Sequence, residues 1–180
     1  MKKEIERKFL LKALPTIYNY FEVEIQNIIQ YYYFSDNVWK RIRKIESNTC
    51  GNPSKNIYLH TIKTYKDGIC YEDETNYSYE EYMSLMSEIN SGKYECRAIM
   101  KTRYIYPTDF EADFEGEIKK LKWEIDVFNF SLIIAEIEIP DINHPIEIPE
   151  YIKNNIIYEV TSINEFSNRS LSEALNFSNS

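Results

Sequence analysis

Charged and apolar residues alternate from the start of the chain, with Glu4, Glu6 and Lys8 at every second position and Ile5 and Phe9 between them. Strand side chains point to opposite faces with period two, so a strand here has one charged and one apolar face. The same alternation predicts strands over residues 3–11, 30–34, 38–46, 56–65, 69–77, 95–106, 122–128 and 132–140. Asp36-Asn37, Lys66-Asp67-Gly68 and Asn129-Phe130-Ser131 read as short reversals, which makes consecutive strands antiparallel neighbours. Gly51-Asn52-Pro53-Ser54 reads as a longer loop. Helical spacing predicts a helix from Pro15 to Asn27, and Ser78-Tyr79-Glu80-Glu81 forms a capping-box pattern before a second helix that Gly92 closes. A short terminal helix is expected over residues 167–175. The acidic stretch Asp109 to Glu117 reads as a mobile excursion between two strands. Residues 1–176 form one expected domain, with 177–180 frayed.

The charges come as like-signed doublets: Arg41/Arg43, Glu72/Glu74, Lys101/Arg103, Glu124/Asp126 and Glu136/Glu138. Any one doublet is most simply the solvent face of an antiparallel strand. Taken together, doublets of like charge repel unless opposite charge or metal faces them. Ile5, Phe9, Ile42, Ile62, Ile125, Val127, Ile137 and Ile139 fall on the other face, where helices would cover them. The expected fold is therefore α+β: an eight-stranded antiparallel barrel, or tunnel, with a charged interior and helices packed outside. Buried ions need pairing or solvation, so such an interior must be wet and balanced. A polyanion with a divalent metal supplies that balance, Arg and Lys holding phosphate oxygens and carboxylates a hard cation.

Composition narrows the alternatives. A net charge of −8 argues against a nucleic-acid partner. No run approaches the about 18 apolar residues of a membrane span, no apolar signal segment opens the chain, and Cys50, Cys70 and Cys96 lack a CxxC pair. A cytoplasmic protein without a membrane partner is expected, and the sequence carries no signal for oligomeric state. Four glycines leave no phosphate-binding loop, so phosphate binding would rest on side chains. His60 and His144 are not spaced as a metal pair, and His60 reads as a satisfied core or outer-face histidine. Trp39 and Trp123 are expected opposite the charges, under helices.

Glu4-x-Glu6-x-Lys8, followed in order by Trp39-Lys40-Arg41-Ile42-Arg43, Thr61-Ile62-Lys63, Tyr71-Glu72-Asp73-Glu74, Lys101-Thr102-Arg103-Tyr104, Trp123 to Phe128, Ala135-Glu136-Ile137-Glu138 and Glu159-Val160-Thr161, resembles the CYTH domain, or triphosphate tunnel metalloenzyme family. The resemblance spans nearly the whole chain. It implies a tunnel that hydrolyses or cyclises triphosphates with Mg²⁺ or Mn²⁺. It also implies phosphate contacts from Lys8, Arg41, Arg43, Lys63, Lys101 and Arg103, with Glu6, Lys8, Arg41 and Arg43 closest to the chemistry. Glu4, Glu6, Glu136 and Glu138 would lead the metal ligands, and Glu72, Glu74, Glu124 and Asp126 would complete the acidic side, holding a second metal directly or through water. The chain departs from the family where Ser162-Ile163-Asn164-Glu165 replaces a customary basic residue. The expected activity is metal-dependent removal of the terminal phosphate of tripolyphosphate, with nucleoside triphosphates as further substrates. The rivals are a class IV adenylate cyclase, a thiamine triphosphatase and a non-enzymatic polyphosphate- or nucleotide-binding module.

Overall fold

Ten strands and three helices form in this computed structural model, which describes residues 2–16, 23–48, 55–67 and 69–176. In chain order these are β1 (Lys2–Glu4), β2 (Glu6–Leu11), β3 (Glu24–Ser35), β4 (Val38–Asn48), β5 (Lys55–Lys66), β6 (Ile69–Tyr77), α1 (Tyr79–Asn90), β7 (Cys96–Phe114), β8 (Glu117–Phe128), β9 (Ile133–Glu138), α2 (Glu150–Lys153), β10 (Ile156–Glu159) and α3 (Asn168–Asn176). All neighbours pair antiparallel, in the order β1-β6-β5-β4-β3-β7-β8-β9-β2-β10. This α+β sheet has ten strands in an open order rather than the expected closed ring of eight. Ile5 breaks the first strand: β1 pairs with β6, whereas β2 pairs with β9. The first eleven residues thus join both flanks of the sheet, and Ile5 O accepts from Ile139 N–H at 2.9 Å.

Short-range chemistry explains the reversals. Asp36 and Asn37 both adopt positive φ, 54° and 61°, the conformation a two-residue hairpin needs and one that Asp and Asn tolerate. Helix α1 starts at the expected capping box, Ser78 Oγ accepting from Glu81 N–H and Glu81 Oε2 from Ser78 N–H. Its amphipathic face buries Tyr82, Met86 and Ile89 against Tyr33 and Ile42 on the outer face of the sheet. A larger outer core gathers Phe9, Leu11, Trp123, Ile125, Ile137 and Ile139 with Ile152 of α2, so the alternating apolar positions lie where periodicity puts them.

Two sequence expectations are corrected. Residues 24–27 of the expected first helix are strand, because β3 is flanked by partners on both sides and Gln26 pairs with Ser47 and Arg103; residues 17–22 lie outside the described residues. Ladder pairing on both edges outweighs local helical spacing. The acidic stretch 109–117 is the continuation of the β7–β8 hairpin, with Glu111 opposite Lys120 and Ala112 and Leu121 buried. Opposite charges across the ladder and apolar residues beneath it hold this arm in the sheet. The 51–54 loop lies outside the described residues, and α2 and β10 have no counterpart among the expected elements.

Candidate functional site

The charged face encloses a cavity of about 1210 Å³ to which nine of the ten strands contribute. Its charges are sorted by strand. Lys63 on β5, Arg41 and Arg43 on β4, and Lys101 and Arg103 on β7 form a basic wall, with β3 between them contributing neutral Gln26 and Tyr32. Facing it are Glu124 on β8, Glu136 and Glu138 on β9, Glu6 on β2, Glu4 on β1, and Glu72 and Glu74 on β6. Among the described residues ten basic and eight acidic side chains line the cavity, a near balance in a chain of net charge −8.

The walls are cross-linked by ion pairs. Lys63 Nζ lies 2.6 Å from Glu4 Oε2 and 2.8 Å from Glu72 Oε1, and Arg41 Nη2 donates to Glu72 Oε1 and Thr61 Oγ1, each at 3.2 Å. Arg43 pairs with Glu74, and Lys8 Nζ bridges Glu6 and Glu136 at 2.7 and 2.8 Å. Arg103 grips Asp126 through Nε and Nη2, both at 2.7 Å, and also reaches Glu124 and Glu136. Lys2 Nζ joins Glu138 at 2.5 Å.

Two buried donors of the basic wall stand outside this pairing: among the described residues Arg41 Nε and Arg43 Nε have no acceptor. A buried unsatisfied donor costs on the order of 1–3 kcal/mol, and two on neighbouring guanidinium groups leave donor capacity that an anion could take up. Burial, and then the repulsion of Arg41, lowers Arg43 to about 10. Burial and then Arg103 lower Lys101 to about 8. Both shifts follow from crowding positive charge in a desolvated wall, and an anion would relieve them.

On the acidic wall, Glu6 and Glu138 lie directly opposite in register, as do Glu124 and Glu136. Such like-charged pairs require an intervening cation. Burial and then the Glu6 carboxylate push Glu4 up to about 7, while Glu6 is held low by Lys8 and by its hydrogen bond with Glu4 despite its burial. Among the described residues no three His, Cys, Asp or Glu side chains form a ready-made metal cage. A Mg²⁺-type ion does not need one, since it binds through one or two carboxylates, several waters and substrate phosphates. The oxygen donors that could hold such an ion are Glu4, Glu6, Glu136 and Glu138, whose present partners are, in turn, Lys63, Lys8, Lys8 with Arg103, and Lys2.

The Glu4 shift has a measurable sign. The folded protein retains a proton on Glu4 that the unfolded chain releases near 4.5, so this group's contribution to stability falls as pH rises from 4.5 to about 7. Glu4→Gln is expected to raise the melting temperature relative to wild type at pH 8 and to coincide with it at pH 4. A lower melting temperature at pH 8 would mean that the Lys63 pair outweighs the repulsion.

Of the residues expected in the site, Glu4, Glu6, Lys8, Arg41, Arg43, Lys63, Glu72, Glu74, Lys101, Arg103, Glu124, Glu136 and Glu138 all line the cavity. Asp126 does not. It is fully buried beneath the wall, its oxygens engaged by Arg103 and Lys101, so it positions those cations and has no free oxygen for a metal. Trp123 is buried in the outer core as expected, but Trp39 shares the parity of Arg41 and Arg43 and lines the cavity, with Arg97 5.2 Å from its ring. Lys2 and Lys122 extend the alternation of Glu4 and Glu124 by one step and could have been read from it. Arg169 of α3 also lines the cavity, though no periodic signal connects it to the strands. His60 is structural, bonded to Tyr33 at 2.7 Å and stacked on Tyr77. Cys70 faces the cavity, but burial raises its thiol to about 11, which removes it as a nucleophile.

No family model and no curated protein matches the chain. A crystal structure of the hypothetical protein NE1496 is similar to it in fold, with a TM-score of 0.52 and 22% identity over 94% of this chain and 96% of that one. Among the described residues no helix is long and apolar enough to cross a membrane.

Proposed function

We propose that this chain is a CYTH-type triphosphate tunnel metalloenzyme: a divalent-metal-dependent phosphohydrolase that removes the terminal phosphate of inorganic tripolyphosphate. The observation that carries this reading is the pair of unsatisfied buried donors, Arg41 Nε and Arg43 Nε, on a basic wall facing carboxylates. In this reading the first strand, lying on β6 through β1 and on β9 through β2, completes an eight-stranded tunnel, with β10 an addition outside it.

Arg41, Arg43, Lys63, Lys101 and Arg103 bind the non-bridging oxygens of the chain and stabilise charge that develops on the transferring phosphoryl group. Lys8, between Glu6 and Glu136, joins them from the acidic side. Glu4, Glu6, Glu136 and Glu138 would hold Mg²⁺ or Mn²⁺, which would supply further charge neutralisation. Glu6 orients a water for in-line attack on the terminal phosphorus; the bridging P–O bond breaks to leave pyrophosphate, the water oxygen stays on the phosphorus as hydrogen orthophosphate with one proton, and the second proton passes to the leaving pyrophosphate oxygen or to solvent.

An inorganic chain suits the cavity better than a nucleotide because its aromatic lining is engaged: Trp39 is covered by Arg97 and Phe34, and Tyr32 accepts from Gln30. One observation favours a nucleoside as a second substrate class, namely Tyr65, which lines the cavity yet is 69% exposed. The deciding experiment measures kcat/KM for tripolyphosphate, ATP and thiamine triphosphate under one metal condition, with orthophosphate, pyrophosphate and cyclic AMP quantified separately. Tripolyphosphate is expected to lead. Cyclic AMP with pyrophosphate would establish a cyclase, and binding without turnover would leave a binding module.

A further inference from the structure

The carboxylates of β6 behave differently from those of β9 and β2. Glu72 and Glu74 lie beside Lys63 and Thr61 in register and reach across β5 to the guanidinium groups of β4. One oxygen, Glu72 Oε1, takes both Lys63 at 2.8 Å and Arg41 at 3.2 Å. Glu74 Oε2 takes Arg43 and the Thr61 hydroxyl, with Arg41 Nη2 at 3.8 Å. These two side chains therefore occupy Nη2 of both arginines and the Lys63 ammonium, the groups assigned to phosphate, while Nε of each arginine stays unsatisfied.

Resting on the triphosphate reading above, we propose that Glu72 and Glu74 are internal competitors for the phosphate sites, not metal ligands, and that they set the minimum length of polyphosphate the cavity accepts. A carboxylate tethered one strand away competes at high effective concentration. A single phosphate displacing it gains one or two charge-assisted contacts and leaves a carboxylate unpaired, an exchange with little net gain. A chain of three phosphates engages β4, β5 and β7 together. Lys101 and Arg103 of β7 are fixed by buried Asp126, and Arg103 is also paired with Glu124 and Glu136, so that end of the polyphosphate competes with carboxylates outside β6 as well. Short products are released as Glu72 and Glu74 close again on Arg41, Arg43 and Lys63.

The test is calorimetric titration of orthophosphate, pyrophosphate and tripolyphosphate, at constant ionic strength in EDTA, into wild type, Glu74→Gln and Glu72→Gln/Glu74→Gln. A charge-matched control, Glu80→Gln/Glu150→Gln, removes two carboxylates outside the cavity. Affinity for tripolyphosphate is expected to rise about tenfold in the double variant, because the fraction of competent cation sites rises. Pyrophosphate should become a measurable ligand, and the control should match wild type. Unchanged or weaker binding of all three anions would overturn the inference, as would an equal gain in the control. Glu74, whose side chain is 37% exposed, is the variant most tolerant of substitution, and a gain of smaller size is expected from it alone. Wild-type hydrolysis of tripolyphosphate with Mg²⁺, run in parallel, separates the two ideas. Turnover without any gain in the variants overturns the competitor role alone, and a gain without wild-type turnover overturns the hydrolase reading alone.

Discussion

Arg41→Ala and Arg43→Ala are each expected to lower kcat/KM for tripolyphosphate by about 2–4 kcal/mol, roughly 30- to 1000-fold, the range for losing one preorganised charge stabiliser. Arg41 is only 6% exposed, so its guanidinium acts in a desolvated wall where charge is weakly screened. A solvated surface arginine would cost little on removal. Truncation also leaves Glu72 or Glu74 with one cation fewer, so melting temperatures should accompany the kinetics. Arg43→Lys keeps the charge but loses the planar fork, and is expected to recover part of the activity and not all of it. Near-wild-type kinetics in both alanine variants and in their combination would put these residues outside the reaction.

Removing divalent metal is expected to abolish turnover, and restoring Mg²⁺ or Mn²⁺ to recover it. Glu6→Gln should reduce kcat by about two to four orders of magnitude even with metal present, as for loss of a group that handles the attacking water. The structural ground is the opposition of Glu6 and Glu138 in register, with Glu6 buried between Glu4 and Lys8. Glu138 is tied to Lys2 and half-exposed at the rim, so Glu138→Gln should act mainly by raising the metal concentration required. Full hydrolysis in chelated buffer would sink the metal-dependent mechanism and the assignment of Glu4, Glu6, Glu136 and Glu138 together.

Most of the sheet and most of the site were legible without coordinates, for one physical reason. A strand has period two, so Arg41/Arg43 or Glu136/Glu138 carry their facing with them wherever the strand goes. The capping box at Ser78 and the Asp36-Asn37 turn were equally local, each determined by a side-chain hydrogen bond or a backbone preference within a few residues. Trp39 was readable too; its odd number matches Arg41 and Arg43, and the expectation that it faced away misapplied the same rule.

Other features were decided only by tertiary structure. Residues 24–27 became strand because β4 and β7 both offered ladder partners, which no local pattern records. Asp126 has the same parity as Glu124, yet it lies under the wall while Glu124 lines the cavity, since depth along a curved sheet depends on what packs above each position. The same holds for Arg169, carried to the cavity by the packing of α3. Sequence alone determined which side chains face inward and with what sign. Which cation meets which carboxylate, and which donors are left unsatisfied, depended on strand order and register, because those pairings join residues as far apart as Lys2 and Glu138.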